Sequence, residues 1–247
     1  MKGATPQGAR SEREAAEWVR AMFGRVAHRY DLANHLLSFN IDRYWRAHTV
    51  ARVRDVLVRP EARVLDICCG TGDLVRALQR GRPAGAPGLA WEVMGSDFCH
   101  PMLVAAHAKI GSGALFEADA LRLPLADASL DLITVAFGFR NLANYEAGLR
   151  EMRRILRRGG VAAILEFSQP SNPLFGALYS FYSQRVLPVI GGVLSGSRDA
   201  YTYLQESVRK FPAPEELAEM MCAAGFGRVG FERLTGGIVA LHLGSAL

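Results

Sequence analysis

The sequence predicts an α/β protein: a mostly parallel sheet with helices on both faces, an antiparallel hairpin at its C-terminal end and a helical extension before it. Three observations predict this. Short apolar runs alternate with helical patterns from residue 63 onward, the pattern of βαβ units. The first run ends in a glycine loop, DICCGTGD (66–73), that opens directly into a helical stretch. Residues 227–246, GRVGFERLTGGIVALHLGSA, read as two strands joined by a Gly-Gly turn, which sets one strand against the direction of the others.

In chain order, residues 11–58 read as helices, with Trp18, Met22, Phe23 and Val26 on an apolar stripe that suits a core better than a cofactor box. RVLDIC (63–68) is the first strand and GDLVRALQ its helix. WEVMGSDF (91–98) is the second strand, followed by the helix HPMLVAAHAKI. ALFEADA (114–120) and LDLITVAFGF (130–139) are the third and fourth strands. A helix over 144–158 leads to the fifth, VAAILEFS (161–168), and the hairpin brings the total to seven. GRPAGAPG (81–88) reads as a surface loop. At 247 residues the chain can enclose one full core.

Half of the residues are apolar and 21% are charged, which fits a globular chain and excludes a disordered one. The net charge of +5 is concentrated in REMRRILRRGG (150–160), whose five arginines fall at helical spacing before a Gly-Gly stop. They suit the negative end of a helix dipole; attraction to anionic lipid is the alternative. Cys68, Cys69, Cys99 and Cys222 form no CxxC, so no zinc site is expected, and reduced thiols point to a cytoplasmic setting. The first residues contain no apolar core of a secretory signal. The apolar segment LFGALYSFYSQRVLPVIGGVL (174–194) is interrupted by Gln184, Arg185, Pro188 and Gly191-Gly192, so it reads as a buried or interfacial helix and not as a membrane span.

The glycine loop suggests a nucleotide-like cofactor. A strand carrying Asp66, a tight turn with Gly70 and Gly72, and an immediate helix start would present backbone N–H groups to a ligand. Cys68 stands where the dinucleotide fingerprint has its first glycine, and the absence of GKS or GKT excludes a nucleoside triphosphate P-loop. Asp97, followed by Phe98, closes the second strand, where a carboxylate accepts from ribose hydroxyls. Asp119 closes the third. Each aspartate alone could be a helix cap or turn residue. Together, three carboxylates at successive strand ends are awkward around a pyrophosphate and suit a cationic cofactor. S-adenosylmethionine carries a sulfonium and an ammonium.

Two segments then carry a closer resemblance. FGRVAHRYDLANHLLSFNIDRYWR (23–46) and RILRRGGVAAILEFS (154–168) resemble the signature segments of the ubiquinone/menaquinone biosynthesis C-methyltransferases, the UbiE or MenG family. Tyr30, Asp31, Asn34, Ser38, Trp45, Glu166 and Ser168 fall at the family's spacing. Ala33 replaces the family's methionine, Asp42 its histidine, Arg157 and Arg158 its lysine and proline, and Ala136 the serine before FG. The first four departures are not expected to touch the cofactor pocket. The resemblance implies a Rossmann-like class I S-adenosylmethionine-dependent methyltransferase domain over residues 59–247, with residues 1–58 as a helical substrate lid. It further implies cofactor contacts at Thr71, Asp97 and the Asp119-Ala120 pair.

It also implies C-methylation of a polyprenylated hydroquinone, either demethylmenaquinol or the matching ubiquinol precursor. Such a reaction needs a base and an aligned methyl, and no metal. Arg140 and Asn141, in FGFRN (137–141), are candidates to hold the ring oxygens or a proton-accepting water, with Tyr30 opposite; Asp31 and His28 are rival bases. The alternatives are an Arg140 that pairs with an acidic neighbour and a Tyr30 that belongs to the core. With a lipid-tailed substrate, segment 174–194 becomes a candidate for peripheral contact with the inner face of the plasma membrane; core packing or a homodimer interface would use it equally. No nucleic-acid partner is expected, since neither an NPPY nor a PCQ motif is present. A methyltransferase for another hydrophobic small molecule and a non-catalytic binding module of the same fold stay open at this point.

Overall fold

The computed structural model describes residues 3–6, 8–27, 38, 40–82, 93–111, 114–170, 172, 176 and 198–247. Tyr30, Asp31, His28, most of the loop at 81–88 and nearly all of segment 174–194 lie outside the described residues.

The chain opens with α1 (Glu12–Val26), whose N-terminus is capped by the Ser11 side chain accepting from the Glu14 N–H. Its stripe is internal as expected: Val19 and Met22 are buried against Tyr203, with Trp18 and Phe23 packed alongside. Helices α2 (Ile41–Arg52) and α3 (Arg54–Leu57) lead into β1 (Val64–Ile67). Then follow α4 (Asp73–Gly81), β2 (Met94–Asp97), α5 (His100–Ile110), β3 (Leu115–Glu117) and β4 (Leu130–Ala136). A 3-10 turn over Phe139–Asn141 precedes α6 (Tyr145–Ile155) and β5 (Leu156–Phe167). Helices α7 (Arg198–Lys210) and α8 (Pro214–Ala223), β6 (Phe226–Leu234) and β7 (Val239–Ala246) complete it. The sequence pattern provides no element for α7 or α8.

Among the described residues seven strands form one sheet in the order β3-β2-β1-β4-β5-β7-β6. All pairings from β3 to β5 are parallel, while β7 runs antiparallel to both β5 and β6, as the hairpin reading requires. The turn is made at Thr235–Gly237, with Gly236 and Gly237 both at positive φ. Because the central strands are covered on both faces, alternate residues feed two cores. Leu65, Ile67, Ile133 and Ile164 pack with α6 and α8, whereas Val64, Leu132, Ala163 and Leu241 pack with Trp45, Leu57 and Leu78 on the other side.

Several boundaries differ from the sequence reading: β3 ends at Glu117 and not at residue 120, β5 starts at Leu156 and not at residue 161, and two further cases have a clear physical cause. β4 stops at Ala136 and not at residue 139, because Phe137 adopts φ 60 and turns the chain out of the sheet. The helix expected to reach 158 ends at Ile155, since Leu156 already pairs with Leu130 of β4. Arg157 and Arg158 therefore lie on a strand, and the five arginines are not one helical array. Arg153 donates to the Gly225 and Leu247 carbonyls, Arg154 pairs with Glu151 and Asp127, and Arg157 with Asp131. These three tie α6 and the start of β5 to the segments around them. No helix of the described residues is long and apolar enough to cross a membrane.

Candidate active site

The strand order reverses between β1 and β4, which leaves a crevice at their C-terminal ends. The loop after β1 bends sharply there: Cys68, Gly70 and Gly72 all have positive φ, at 49°, 55° and 82°. Cys68 thus keeps the backbone of the glycine it replaces, at a cost of roughly 1–2 kcal/mol for a residue with a Cβ. Gly138 faces it across the crevice, and a Cβ on Gly138 would lie 2.4 Å from that of Cys68.

The crevice opens into a cavity of about 920 Å³, counted to its mouth. Asp66, Gly70, Thr71, Asp97, Phe98, Asp119, Ala120 and Asn141 line it, so eight of the sequence-predicted residues meet in one place. Gly72 stands behind the wall as the N-cap of α4, where Ala106 and Ile110 leave little space for a side chain. Ala136 also lines the cavity, a methyl where the family's hydroxyl is expected.

Asp97 is buried and has two tasks. Its Oδ2 accepts from the Gly70 N–H at 2.8 Å and its Oδ1 from the Cys99 N–H at 2.9 Å, so the carboxylate holds the glycine loop in its bend. Burial nevertheless pushes its pKa up, opposed by those backbone donors. Each oxygen retains a second acceptor direction for a ligand. Asp66, 1% exposed, accepts from the Thr134 hydroxyl at 2.6 Å, and burial pushes its pKa up to about 7. Asp119 accepts from the Leu121 N–H and so caps its own turn, as the turn reading has it, while also lining the cavity. Burial and the nearby aspartates push the Cys68 and Cys69 thiols up, which leaves them protonated and poor nucleophiles.

Arg140 is placed differently from its expected position over the substrate. It is buried, and Nη1 donates to Glu166 Oε1 at 2.8 Å and to the Phe137 carbonyl. Its backbone N–H reaches Glu166 Oε2 at 3.1 Å, and the guanidinium lies 5.2 Å from the centre of the Phe167 ring. It is not among the cavity-lining residues. The pairing with an acidic neighbour is the alternative that the geometry favours. Asn141, next in sequence, does face the cavity.

Several residues that sequence reasoning missed hold the site together. The Tyr203 hydroxyl, on α7, donates to Asn141 Oδ1 at 3.0 Å; burial pushes that phenol up to about 12, so it keeps its proton. The Tyr145 hydroxyl donates to the Arg140 carbonyl. Lys109 Nζ reaches Thr71 Oγ1 at 3.1 Å and Asp73 Oδ1 at 2.6 Å. Arg46, from α2, also lines the cavity and pairs with Asp42. Asp42 itself does not line the cavity, as expected of that departure, but it holds the Arg46 guanidinium that does. Tertiary contacts of this kind leave no local pattern; Tyr203 and Asn141 are 62 residues apart.

The residues present fit an adenosyl cofactor bearing positive charge. Gly70 has no atom within 4 Å of where its Cβ would point, which leaves its backbone approachable from the cavity, and buried aspartates at the strand ends favour a cation.

Comparison with known proteins agrees with this geometry. The chain is 47% identical over 227 residues to a demethylmenaquinone methyltransferase of Thermus thermophilus, covering 90% of this chain and 99% of that one. It is 44% identical to the ubiquinone/menaquinone biosynthesis C-methyltransferase UbiE of Syntrophotalea carbinolica, covering 92% and 93%. Among solved structures, a SAM-dependent methyltransferase from Thermotoga maritima superposes with TM-score 0.61 at 19% identity, covering 93% of this chain and 100% of that chain. The [4+2]-cyclase SpnF superposes at 0.65 with 14% identity, covering 98% and 99%, so the fold by itself does not select the chemistry. The model of the ubiE/COQ5 methyltransferase family matches residues 9–246, and with the glycine loop, the strand-end aspartates and the close relatives it places this chain in that family.

Proposed function

We propose that this protein C-methylates a polyprenylated hydroquinone, converting demethylmenaquinol to menaquinol, with S-adenosylmethionine as methyl donor. The observation that carries the reading is the convergence of Asp66, Asp97 and Asp119 on one cavity in a chain with close demethylmenaquinone methyltransferase relatives. Bound there, S-adenosylmethionine supplies an electrophilic methyl on a sulfonium. The chain's own residues bind and orient. Asp97 would accept from the ribose hydroxyls with its remaining lone pairs, and Phe98 and Ala120 would border the base. The Asn141 carboxamide, fixed by the Tyr203 hydroxyl, donates to a quinol ring oxygen and favours its phenolate, the proton passing to a base for which Asp31 and His28 are the candidates. The adjacent ring carbon is then nucleophilic, and the hydrogen it exchanges for the methyl leaves as a proton to solvent while the phenol is restored. Arg140 acts through Glu166 as a positioning residue for the 3-10 turn that carries Asn141. Tyr30 is proposed to face the ring from the N-terminal side. Ala16 and Phe23 of α1 contribute to the cavity wall, which supports residues 1–58 as a lid on a methyltransferase domain spanning 59–247.

The test is to produce the chain in cells that lack their own quinone methyltransferase and to identify the quinones by mass spectrometry. Methylated menaquinone is expected with the native chain and only the demethyl form with Asp97→Ala. A soluble, cofactor-binding protein that leaves the demethyl form unchanged would refute the substrate. The same assay in a ubiquinone-producing host asks whether the ubiquinol precursor is a second substrate.

Asp66 adds a pH dependence. A cationic cofactor binds the ionised carboxylate better, so with a pKa of about 7 its affinity is expected to rise about tenfold from pH 6 to pH 8. Asp66→Asn should flatten this rise, because titration of the ligand's own ammonium is common to both proteins. Parallel pH profiles from calorimetry would exclude the carboxylate as the source.

Segment 174–194 is proposed to touch the membrane surface, on the grounds of its apolar composition and a lipid-tailed substrate. The protein is expected to float with anionic liposomes at low salt. If it stays at the bottom of the gradient and sediments as a dimer, the segment serves a homodimer interface.

A further inference from the structure

Arg46 is the sole basic residue among the described residues that line the cavity, and four aspartates (Asp66, Asp73, Asp97 and Asp119) share that lining with it. Its side chain is only 12% exposed. Nη1 is held at 2.5 Å by Asp42 Oδ2 and also donates to the Asp42 carbonyl at 3.2 Å. Asp42 is buried in turn and accepts from the Ser38 hydroxyl at 2.7 Å. The guanidinium carbon lies 5.4 Å from the centre of the Phe137 ring. Nη2 stands 3.8 Å from Asp73 Oδ2, within ion-pairing range but too far for a hydrogen bond. One edge of the fork is thus fixed, while the other has only an electrostatic partner among the described residues.

The two ends of the cavity differ in chemistry. Phe98, Asp97 and Ala120 suit a sugar and base. Arg46 lies toward Thr71, Asp73 and Phe137, the end left for the rest of the cofactor. That remainder is an α-amino acid, with a carboxylate beside its ammonium. Four aspartates would repel the carboxylate unless a cation faces it, and a planar guanidinium is the group best shaped to accept it. We propose that Arg46 binds the carboxylate of the cofactor's methionyl end, held in place by Asp42, with Asp66 taking the neighbouring ammonium. This rests on S-adenosylmethionine as the ligand.

Isothermal titration of the full chain with S-adenosylmethionine and with decarboxylated S-adenosylmethionine tests it, since the second ligand keeps the sulfonium and ammonium and lacks only the carboxylate. The native chain is expected to prefer the intact cofactor by about 10- to 100-fold, the range of a charge-assisted hydrogen-bonded pair. Arg46→Gln should erase that preference. Its affinity for the decarboxylated ligand should hold or rise, because a cation has been removed from an acidic cavity; this also reports that the site is folded. Asp42→Asn, which loosens the guanidinium without removing it, should lose part of the preference. Retention of the native preference in Arg46→Gln would overturn the proposal, as would equal weakening for both ligands. A native chain that binds neither ligand would instead refute the cofactor reading beneath it.

Discussion

Arg140→Ala is expected to destabilise the protein by about 3–5 kcal/mol, because it leaves the Glu166 carboxylate buried without its counter-ion. For a chain of this length that corresponds to a fall of roughly 10 °C in Tm. Glu166 is 1% exposed and, among the described residues, would retain only backbone donors, the N–H groups of residues 140 and 167. The stability loss therefore says little about catalysis, and the informative variant is the pair Arg140→Met with Glu166→Gln. Removing both charges should recover much of the stability, as neutral replacements of buried ion pairs commonly do. Turnover should stay low if the pair positions Asn141, while cofactor affinity remains within a few-fold of native. Single-turnover methylation, calorimetric binding and thermal melts separate these effects. Full recovery of turnover in the stable double variant would reduce the pair to a folding element.

Gly138→Ala is expected to lower cofactor affinity at least tenfold and stability by about 1–3 kcal/mol. The backbone at Gly138, with φ −110°, is open to any residue, so the effect is steric: the new methyl would lie 2.4 Å from Cys68 Cβ and 3.3 Å from its carbonyl. The crevice would have to open at the point where β1 and β4 part. Cys68→Gly removes the opposing atom and also relieves the positive φ at that position. The double variant Gly138→Ala, Cys68→Gly should consequently bind better than Gly138→Ala alone, a non-additivity expected only of residues in contact. Strict additivity in binding titrations would show that the crevice tolerates the methyl by another route.

The pH behaviour of stability follows from the same site. Asp66 has a folded pKa of about 7, above its ordinary value of 3.8, so the folded state holds its proton more tightly than the unfolded chain. Its contribution is most favourable below pH 3.8 and is lost as the pH rises toward 7. Ionising this carboxylate at neutral pH is thus a cost to the fold, and under the proposed role of Asp66 toward the cofactor it is a compromise common at binding sites.

Much of the fold was legible because its signals are local. Alternation of apolar runs with helical patterns, the glycine turn and the Gly-Gly hairpin each depend on a few neighbouring residues. The errors came at boundaries where long-range pairing decides: Leu156 joins β4 through Leu130, which ends α6 three residues before the pattern predicts. Among the candidate residues, those at strand ends were readable because a parallel sheet brings its C-terminal strand ends to one edge. Arg140 was readable as an unusual residue beside that edge, but its direction was not. Lys109 and Tyr203 carry no local mark, and Arg46, although it closes the signature segment 23–46, carries none that says it faces the cavity.

The amino-acid order by itself determined the seven strands, the helices that alternate with them and the edge of the sheet where a charged cofactor would sit, since these follow from backbone preference and apolar periodicity over short stretches; the family resemblance rested on two signature segments, residues 23–46 and 154–168. Only the tertiary structure decided which charges face the cavity and which neutralise one another behind it. That choice turns on distances between residues far apart in the chain, as with Arg140 and Glu166, because an ion's environment is set by what folding packs around it and not by its neighbours in sequence.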